Sequence, residues 1–222
     1  MYKILPLLTT ALLALSTGYS QSTQTMPQMS PLIATSATPI KALPDDPATT
    51  AADRELMTYA YALAERAVEH GNHPFSALLV KDGEIIFEFE NAVYTQQDVT
   101  QHAETGLISQ ATRQFDRATL AASTLYASTE PCIMCCGAIR WAGIRKVVYG
   151  TTSSKLTEVI RQIYPAAAKN PLPESPLAIR EIFQRTEPGV EVYGPLMEAE
   201  GIAIHANYWG EDPVLRSILG GQ

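Results

Sequence analysis

The alternation of apolar and polar positions along the chain predicts a series of helices and strands. From Ala51 to His70 the large apolar side chains recur at helical spacing, and Gly71 follows as a stop signal. Residues 75–80 are apolar except for Ser76, which is typical of a buried strand. Residues 84–90 alternate between polar and apolar, which is typical of a strand with one solvent-exposed face. The remaining predicted elements are helices over 102–115, 132–142, 153–163, 176–184 and 195–209, and strands over 124–128, 146–151 and 190–193.

The order of these elements, α-β-β-α-β-α-β-α-β-α, indicates the fold class. Strands that alternate with helices favour a mixed sheet covered on both faces, so we expect an α/β protein, a three-layer α/β/α sandwich with a central mixed five-stranded sheet. Lys81-Asp82-Gly83 predicts a hairpin turn between the first two strands. The helix before the final strand favours a parallel pairing of the last two strands. Pro195 is expected in the first turn of the closing helix.

The N-terminus has the pattern of a secretory signal over residues 1–20. Lys3 supplies a positive start, residues 4–15 are mostly apolar, and small residues follow, so that cleavage after Ser20 is expected. An uncleaved anchor or a buried helix is the alternative reading of the same run, which is short for a membrane span. We expect export to the periplasm or beyond, with no membrane span after cleavage. A cytoplasmic location is the alternative.

A stretch rich in Ser, Thr, Gln and Pro follows over residues 21–48 and shows no apolar periodicity. It predicts a disordered linker. The remaining residues, 49–222, are long enough for one domain with a sizeable core. The formal net charge of the 222-residue chain is −7, which makes nucleic acid an improbable partner, because binding to phosphates draws on Lys and Arg.

Two short segments carry the candidate chemistry, His102-Ala103-Glu104 and Pro131-Cys132-Ile133-Met134-Cys135. One imidazole and two thiolates, from His102, Cys132 and Cys135, suit a Zn²⁺ ion with an open fourth position, one ion per chain. A bound water there would be acidified to a pKa of about 7. Glu104 is placed to take a proton from that water and to deliver it to the substrate, as the catalytic acid and base. Together the two segments resemble the signature of the zinc deaminases.

A purely structural zinc site is the alternative, and it would need a fourth protein ligand. The remaining candidates are His70, His73, His205 and Cys136. Cys136 follows Cys135 directly, so its side chain should point about 100° away on a helix. The three His residues lie in the first and last helices or beside them, and none is a natural fourth ligand. Three Cys residues within one short segment do not form a multi-loop disulfide framework.

Residues 72–150 resemble the cytidine-deaminase-like superfamily, and within it the purine-type branch of guanine deaminases and tRNA adenosine deaminases. The similar segments are residues 74–80, where Ser76 replaces a Gly, and residues 98–104, which lead into the His102 motif. The resemblance implies the following substrate-binding residues: Asn91, Phe75, Ala103 and Trp141. An Asn side chain offers both a donor and an acceptor to the edge of a heterocycle.

The resemblance implies a zinc-dependent hydrolytic deaminase that releases ammonia from a small-molecule, purine-type, guanine-like base or nucleoside. The alternatives are a tRNA adenosine deaminase, a cytosine or cytidine deaminase, and a catalytically silent binding module. Trp141 matches the guanine deaminase pattern, where an aromatic wall suits a planar ligand. A Trp buried at a dimer face is the other reading of this position, and members of the branch are commonly homodimers.

Overall fold

The computed structural model describes residues 39–164 and 177–211. The strands are β1 (Ser76–Lys81), β2 (Glu84–Glu90), β3 (Thr124–Thr129), β4 (Lys146–Thr151) and β5 (Glu191–Tyr193). The helices are α1 (Ala51–Glu69), α2 (Val93–Gln96), α3 (Ala103–Gln114), α4 (Arg117–Ala121), α5 (Ile133–Ala142), α6 (Ser153–Ile163), α7 (Ile179–Thr186) and α8 (Glu198–Glu211). The short helices α2 and α4 were not predicted, because neither is long enough to show an apolar period.

The five strands form one mixed sheet in the order β2-β1-β3-β4-β5. β1 pairs antiparallel with both β2 and β3, whereas β3–β4 and β4–β5 are parallel. The predicted sandwich and the parallel last pair are therefore confirmed. The hairpin between β1 and β2 is also confirmed, since Asp82 and Gly83 have φ angles of 53° and 84°, the left-handed values that a two-residue turn between antiparallel strands requires.

The two faces of the sheet are covered by different helices. Alternate residues of β1 show this division, because Leu78 packs in the cluster under α1 and Leu79 packs in the cluster under α3 and α5. A capping box between Thr50 and Asp53 begins α1, and the carboxylate of Asp53 also accepts a hydrogen bond from the Tyr126 hydroxyl of β3. Asp53 therefore stabilises the start of the helix and also joins the helix to the sheet.

The closing helix α8 begins later than predicted. Pro195 lies outside it, because Met197 has a φ angle of 54°, which a right-handed helix cannot include. The helix starts at Glu198, whose buried carboxylate accepts hydrogen bonds from the Thr152 N–H at 3.0 Å and from the Leu43 N–H at 2.5 Å. The expectation of a proline in the first turn was therefore wrong.

The predicted signal over 1–20 and residues 21–38 of the predicted linker lie outside the described residues, so both stay predictions. Residues 39–48 contain neither helix nor strand, but hydrogen bonds join them to the chain around α8. Asp45 accepts from the Met197 N–H at 2.8 Å, and Asp46 accepts from the Gly194 N–H at 3.1 Å. No helix among the described residues is long and apolar enough to cross a membrane.

The close packing of α8 predicts different effects on stability for substitutions at two glycines of that helix. A Cβ at Gly201 would overlap the Thr151 hydroxyl and approach the Tyr61 hydroxyl to 2.7 Å, whereas a Cβ at Gly210 meets nothing within 4 Å. We expect Gly201→Ala to lower the free energy of unfolding by about 1–3 kcal/mol. Gly210→Ala, the matched control, should leave it unchanged or raise it by up to about 1 kcal/mol. Urea denaturation of the zinc-loaded proteins measures both, and equal stabilities would contradict the packing described here.

Candidate metal and active site

The N-termini of two helices meet at one point and bring the three predicted ligands together. His102 is the N-cap of α3, Cys132 is the N-cap of α5, and Cys135 lies in the first turn of α5. The sulfurs of Cys132 and Cys135 are 3.5 Å apart, and each lies 3.7 Å from Nδ1 of His102. The ligand atoms of these three residues all lie within 4.8 Å of one another, so the predicted group is confirmed as a cluster.

The spacing of the three donor atoms fits a tetrahedral zinc ion. With Zn–S near 2.3 Å and Zn–N near 2.05 Å, tetrahedral geometry places two sulfurs about 3.8 Å apart and a sulfur about 3.6 Å from a nitrogen. The observed separations of 3.5 and 3.7 Å lie close to these values. Two thiolates and an imidazole are also the donor types that zinc takes in proteins.

The position of the cluster favours a deprotonated sulfur at Cys132. The hydrogen bond with Cys135 lowers the pKa of the Cys132 thiol to about 4 and raises the pKa of the Cys135 thiol. The hydrogen bond with Cys132 likewise raises the pKa of His102. The positive ends of α3 and α5 both point toward the sulfurs, which further stabilises a thiolate. A thiolate is the form that binds a metal.

Glu104 lies beside the cluster, in the first turn of α3. Its side chain is buried, and Oε2 accepts a hydrogen bond from the Cys135 sulfur at 3.4 Å. Burial raises the pKa of Glu104 to about 7. A carboxyl group with a pKa near neutrality both accepts and donates protons at physiological pH, which is the property that general acid–base chemistry requires.

The residues weighed as a fourth ligand all have other contacts. The sulfur of Cys136 faces the Pro131 carbonyl oxygen at 3.4 Å, and the His70 ring binds Glu90 at 2.7 Å. The His73 ring binds the Tyr208 hydroxyl at 3.1 Å, and the His205 ring binds the Thr129 hydroxyl at 2.8 Å. Within the described residues, the metal group contains three protein ligands only. This is the pattern of a catalytic zinc site rather than a closed structural one.

The predicted substrate residues Asn91 and Phe75 lie at the edge of the sheet that carries the cluster. Because β1 runs antiparallel to β2 and β3, the start of β1 and the ends of its two neighbours share one edge. The Asn91 N–H donates to the Phe75 carbonyl at 2.9 Å, and the next residue, Ala92, donates to Gln101, beside His102, at 3.0 Å. Oδ1 of buried Asn91 accepts from the Val93 N–H, and its Nδ2 has no partner among the described residues. That amide is available to a ligand.

The other two predicted substrate residues have different surroundings. Ala103 is fully buried in the core beneath α3. Trp141 lies on the outward face of α5 with 77% of its surface exposed, beside the guanidinium of Arg140. Within one chain, Trp141 therefore does not wall a pocket around a ligand, and its alternative reading as a dimer contact stays a prediction.

A group of aromatic side chains from α8 was not identified as functional from the sequence. The rings of His205 and Trp209 lie 5.3 Å from Phe75 and 5.1 Å from His73, so α8 covers the segment that enters β1. The predictive signal was the spacing of His205 and Trp209, one turn apart on the same helix face. From the sequence alone, this spacing cannot be distinguished from that of residues that only pack the helix against the core.

Comparison with known proteins agrees with this geometry. Residues 50–151 match the model of the cytidine and deoxycytidylate deaminase zinc-binding region. A probable cytosine deaminase of Schizosaccharomyces pombe is 32% identical over 160 residues, which cover 71% of this chain and 92% of that protein. The chain belongs to the cytidine-deaminase-like zinc deaminases. It is therefore an enzyme of the deaminase class, as the sequence predicted.

Relatives of this deaminase have different named substrates. The guanine deaminase of Bacillus subtilis is 42% identical over 100 residues, covering 45% of this chain and 64% of that protein. The tRNA-specific adenosine deaminase of Aquifex aeolicus is 40% identical over 92 residues, covering 41% of this chain and 61% of that protein. A solved guanine deaminase of Nitrosomonas europaea, 21% identical, covers 72% of this chain and 85% of its own with a TM-score of 0.56, and this likeness shows the shared fold.

Two neighbouring cysteines of the deaminase give a matched test of the ligand set. We expect Cys135→Ala to abolish stoichiometric zinc binding, because it removes one of three donors. Cys136→Ala should retain about one zinc ion per chain, because the Cys136 sulfur faces a backbone carbonyl instead of the cluster. Elemental analysis after dialysis measures both. If Cys136→Ala lost zinc and Cys135→Ala retained it, the assignment of Cys135 as the metal ligand would be wrong.

Proposed function

We propose that this protein is a zinc-dependent hydrolytic deaminase of a free purine-type base or nucleoside, with guanine as the model substrate, and that it releases ammonia. The observation that carries the proposal is the three-ligand cluster with the buried carboxyl group of Glu104 beside it, 3.4 Å from the Cys135 sulfur. Zinc, when bound by His102, Cys132 and Cys135, would lower the pKa of a bound water so that it loses a proton at neutral pH. The resulting hydroxide is a nucleophile strong enough to attack an amidine-like ring carbon.

Residues of the chain would transfer the protons, position the substrate and exclude water. Glu104 accepts a proton as the attacking water is activated and delivers it to the ring nitrogen. It then takes the second proton of that water, from the hydroxyl group on the hydrated ring carbon, and passes it to the amine, which leaves as ammonia. Nδ2 of Asn91 donates to the ring edge and holds the reacting carbon near the cluster. Phe75 offers an aromatic surface for the planar ring, and α8 excludes water from it.

The charge of the chain supports a small-molecule substrate over tRNA. The formal net charge is −7, and RNA binding needs a basic surface to neutralise phosphates. The basic residues near α5, Arg140 and Arg145, share one carboxylate, that of Glu187, which offsets part of their positive charge. The predicted signal would further separate an exported enzyme from tRNA.

Cytosine is the second candidate substrate. It is favoured by the relative that this chain matches over 92% of its length, which is named a probable cytosine deaminase. The match to the Bacillus guanine deaminase has the higher identity, 42%, but covers 64% of that relative. Cytosine and guanine both present an amine on a ring carbon that is doubly bonded to a ring nitrogen, so the same cluster serves either one.

The decisive experiment measures ammonia release from the zinc-loaded protein with a panel of compounds. The panel contains guanine, guanosine, adenine, cytosine, cytidine and a tRNA anticodon stem-loop. We expect activity on guanine, with Glu104→Gln retaining zinc and losing about 10²- to 10⁴-fold in kcat. Cys136→Ala serves as the control that retains Glu104 and all three ligands.

The outcomes separate the candidates. Activity on cytosine alone would show that the substrate is a pyrimidine instead of a purine, and the proposed chemistry would be unchanged. Activity on the stem-loop alone would reject a free base as substrate. Full activity of a zinc-loaded Glu104→Gln protein would reject the acid–base role assigned to that residue.

We further propose that the enzyme is a homodimer that pairs through α5. This helix exposes Ile133 and Trp141 by 62% and 77%, and a groove of about 380 Å³ with an apolar floor lies between α5 and α7. A Cβ at Gly137, midway between the two exposed side chains, would meet nothing within 4 Å, which leaves room for the close approach of a second helix. Exposed apolar patches of this kind mark interfaces between proteins.

The dimer proposal predicts a selective effect of charge on α5. We expect the wild-type protein to elute as a dimer in size-exclusion chromatography with light scattering. Trp141→Glu should convert it to a monomer, whereas Ile85→Glu, a matched change at an exposed apolar residue of β2, should not. A monomeric wild-type protein, or a dimer that persists in Trp141→Glu, would contradict the proposal.

A further inference from the structure

Two buried polar atoms without a hydrogen-bond partner lie on α8. Within residues 39–164 and 177–211, these atoms are Nδ1 of His205 and Nε1 of Trp209. A buried polar atom that lacks a partner is costly, and native proteins rarely retain one without a reason. Both residues face the segment that leads into β1, where Phe75 lies. The inner face of α8 therefore carries unused hydrogen-bonding capacity at the edge of the sheet where the substrate residues lie.

His205 is held at this edge by contacts on two strands. Its Nε2 lies 2.8 Å from the hydroxyl oxygen of Thr129, the last residue of β3, three positions before the ligand Cys132. Its ring lies 5.3 Å from the ring of Phe75, whose carbonyl accepts the Asn91 N–H. His205 thus lies between the end of β3, which leads to Cys132, and Phe75, which is hydrogen-bonded to Asn91.

The contact with Thr129 determines which ring nitrogen of His205 carries the proton. The Thr129 hydroxyl is buried, and Nε2 of His205 is its hydrogen-bond partner among the described residues. If Nε2 were the donor, the hydroxyl proton of Thr129 would be left buried without an acceptor. The hydroxyl therefore donates to Nε2, and the proton of the neutral imidazole resides on Nδ1. The unpartnered atom is then an N–H donor.

We propose that His205 is a specificity-determining residue, whose Nδ1–H donates to a ring carbonyl oxygen of the bound base. The proposal rests on the function proposed above. Burial lowers the pKa of His205 to about 3, so the ring is neutral at physiological pH and keeps this single-donor form. Nδ1 is buried in the ligand-free chain, so this proposal requires the contacts around it to open when the base binds. A base without an acceptor at that position leaves the donor unpaired.

The test compares pairs of substrates that differ by one ring carbonyl. Guanine is paired with 2-aminopurine, and cytosine with 4-aminopyrimidine. We expect His205→Phe, which keeps an aromatic ring, to lower kcat/KM for the carbonyl substrate by about 10- to 100-fold and to change it by less than about 3-fold for its partner. Thr129→Val should act in the same direction, and the double variant should be no worse than His205→Phe, because the two residues act as one unit.

Trp209→Phe is the matched control. It removes the other unpartnered atom from the same face of α8, one turn away, and leaves the His205 ring in place. We expect its ratio of kcat/KM values between the paired substrates to equal that of the wild type. Zinc content and thermal unfolding of every variant check that the metal cluster and the fold are retained. An equal loss for both substrates in His205→Phe would overturn the proposal, because a purely structural role does not discriminate between them.

A second measurement is independent of turnover. Imidazole ¹⁵N spectra of the protein labelled at histidine, assigned with the His205→Phe variant, should show Nδ1 protonated and Nε2 unprotonated in the ligand-free enzyme. Xanthine, the deamination product of guanine, or uracil, that of cytosine, should shift the Nδ1 signal. A protonated Nε2 would overturn the donor assignment whatever the substrate is. If the panel finds no activity on any base while Nδ1 carries the proton, the proposed function fails and the tautomer assignment stands.

Discussion

The structure of this deaminase depends on the meeting of two helix N-termini at one edge of the sheet. Each helix contributes an N-cap residue, His102 or Cys132, and the donor atoms converge within 4.8 Å. Thiolates are costly to bury unless positive charge compensates them, and here the ends of two helix dipoles and a metal ion can do so. Glu104 follows from the same constraint, since the first turn of α3 holds it beside the cluster and away from water.

The pattern of strand directions explains why the other candidate residues gather at the same edge. Because β1 is antiparallel to its neighbours, its first residues lie next to the last residues of β2 and β3. Phe75, Asn91 and Thr129 occupy these ends. Open α/β sheets bind ligands outside the carboxyl ends of their strands, and in this enzyme an antiparallel hairpin adds a third loop to that position.

The closing helix adds a second layer to the site. α8 is anchored at its start by the buried Glu198, which joins it to Thr152 and to the segment before α1. Farther along the helix, His205 contacts both the entry to β1 and the end of β3. The closing helix thus packs on the edge of the sheet where the candidate substrate residues lie.

The sequence by itself determined the longer elements and the candidate metal ligands, because both are local. A helix or buried strand shows its period within about ten residues, and the His and Cys-x-x-Cys motifs carry their ligand chemistry in the residue types alone. Only the tertiary structure decided the surroundings of Trp141, which faces solvent, and of His205, which packs on Phe75 from 130 positions away. Such contacts join residues with no shared periodicity, so no local pattern encodes them. The start of α8 was also decided at this level, by the left-handed backbone of Met197.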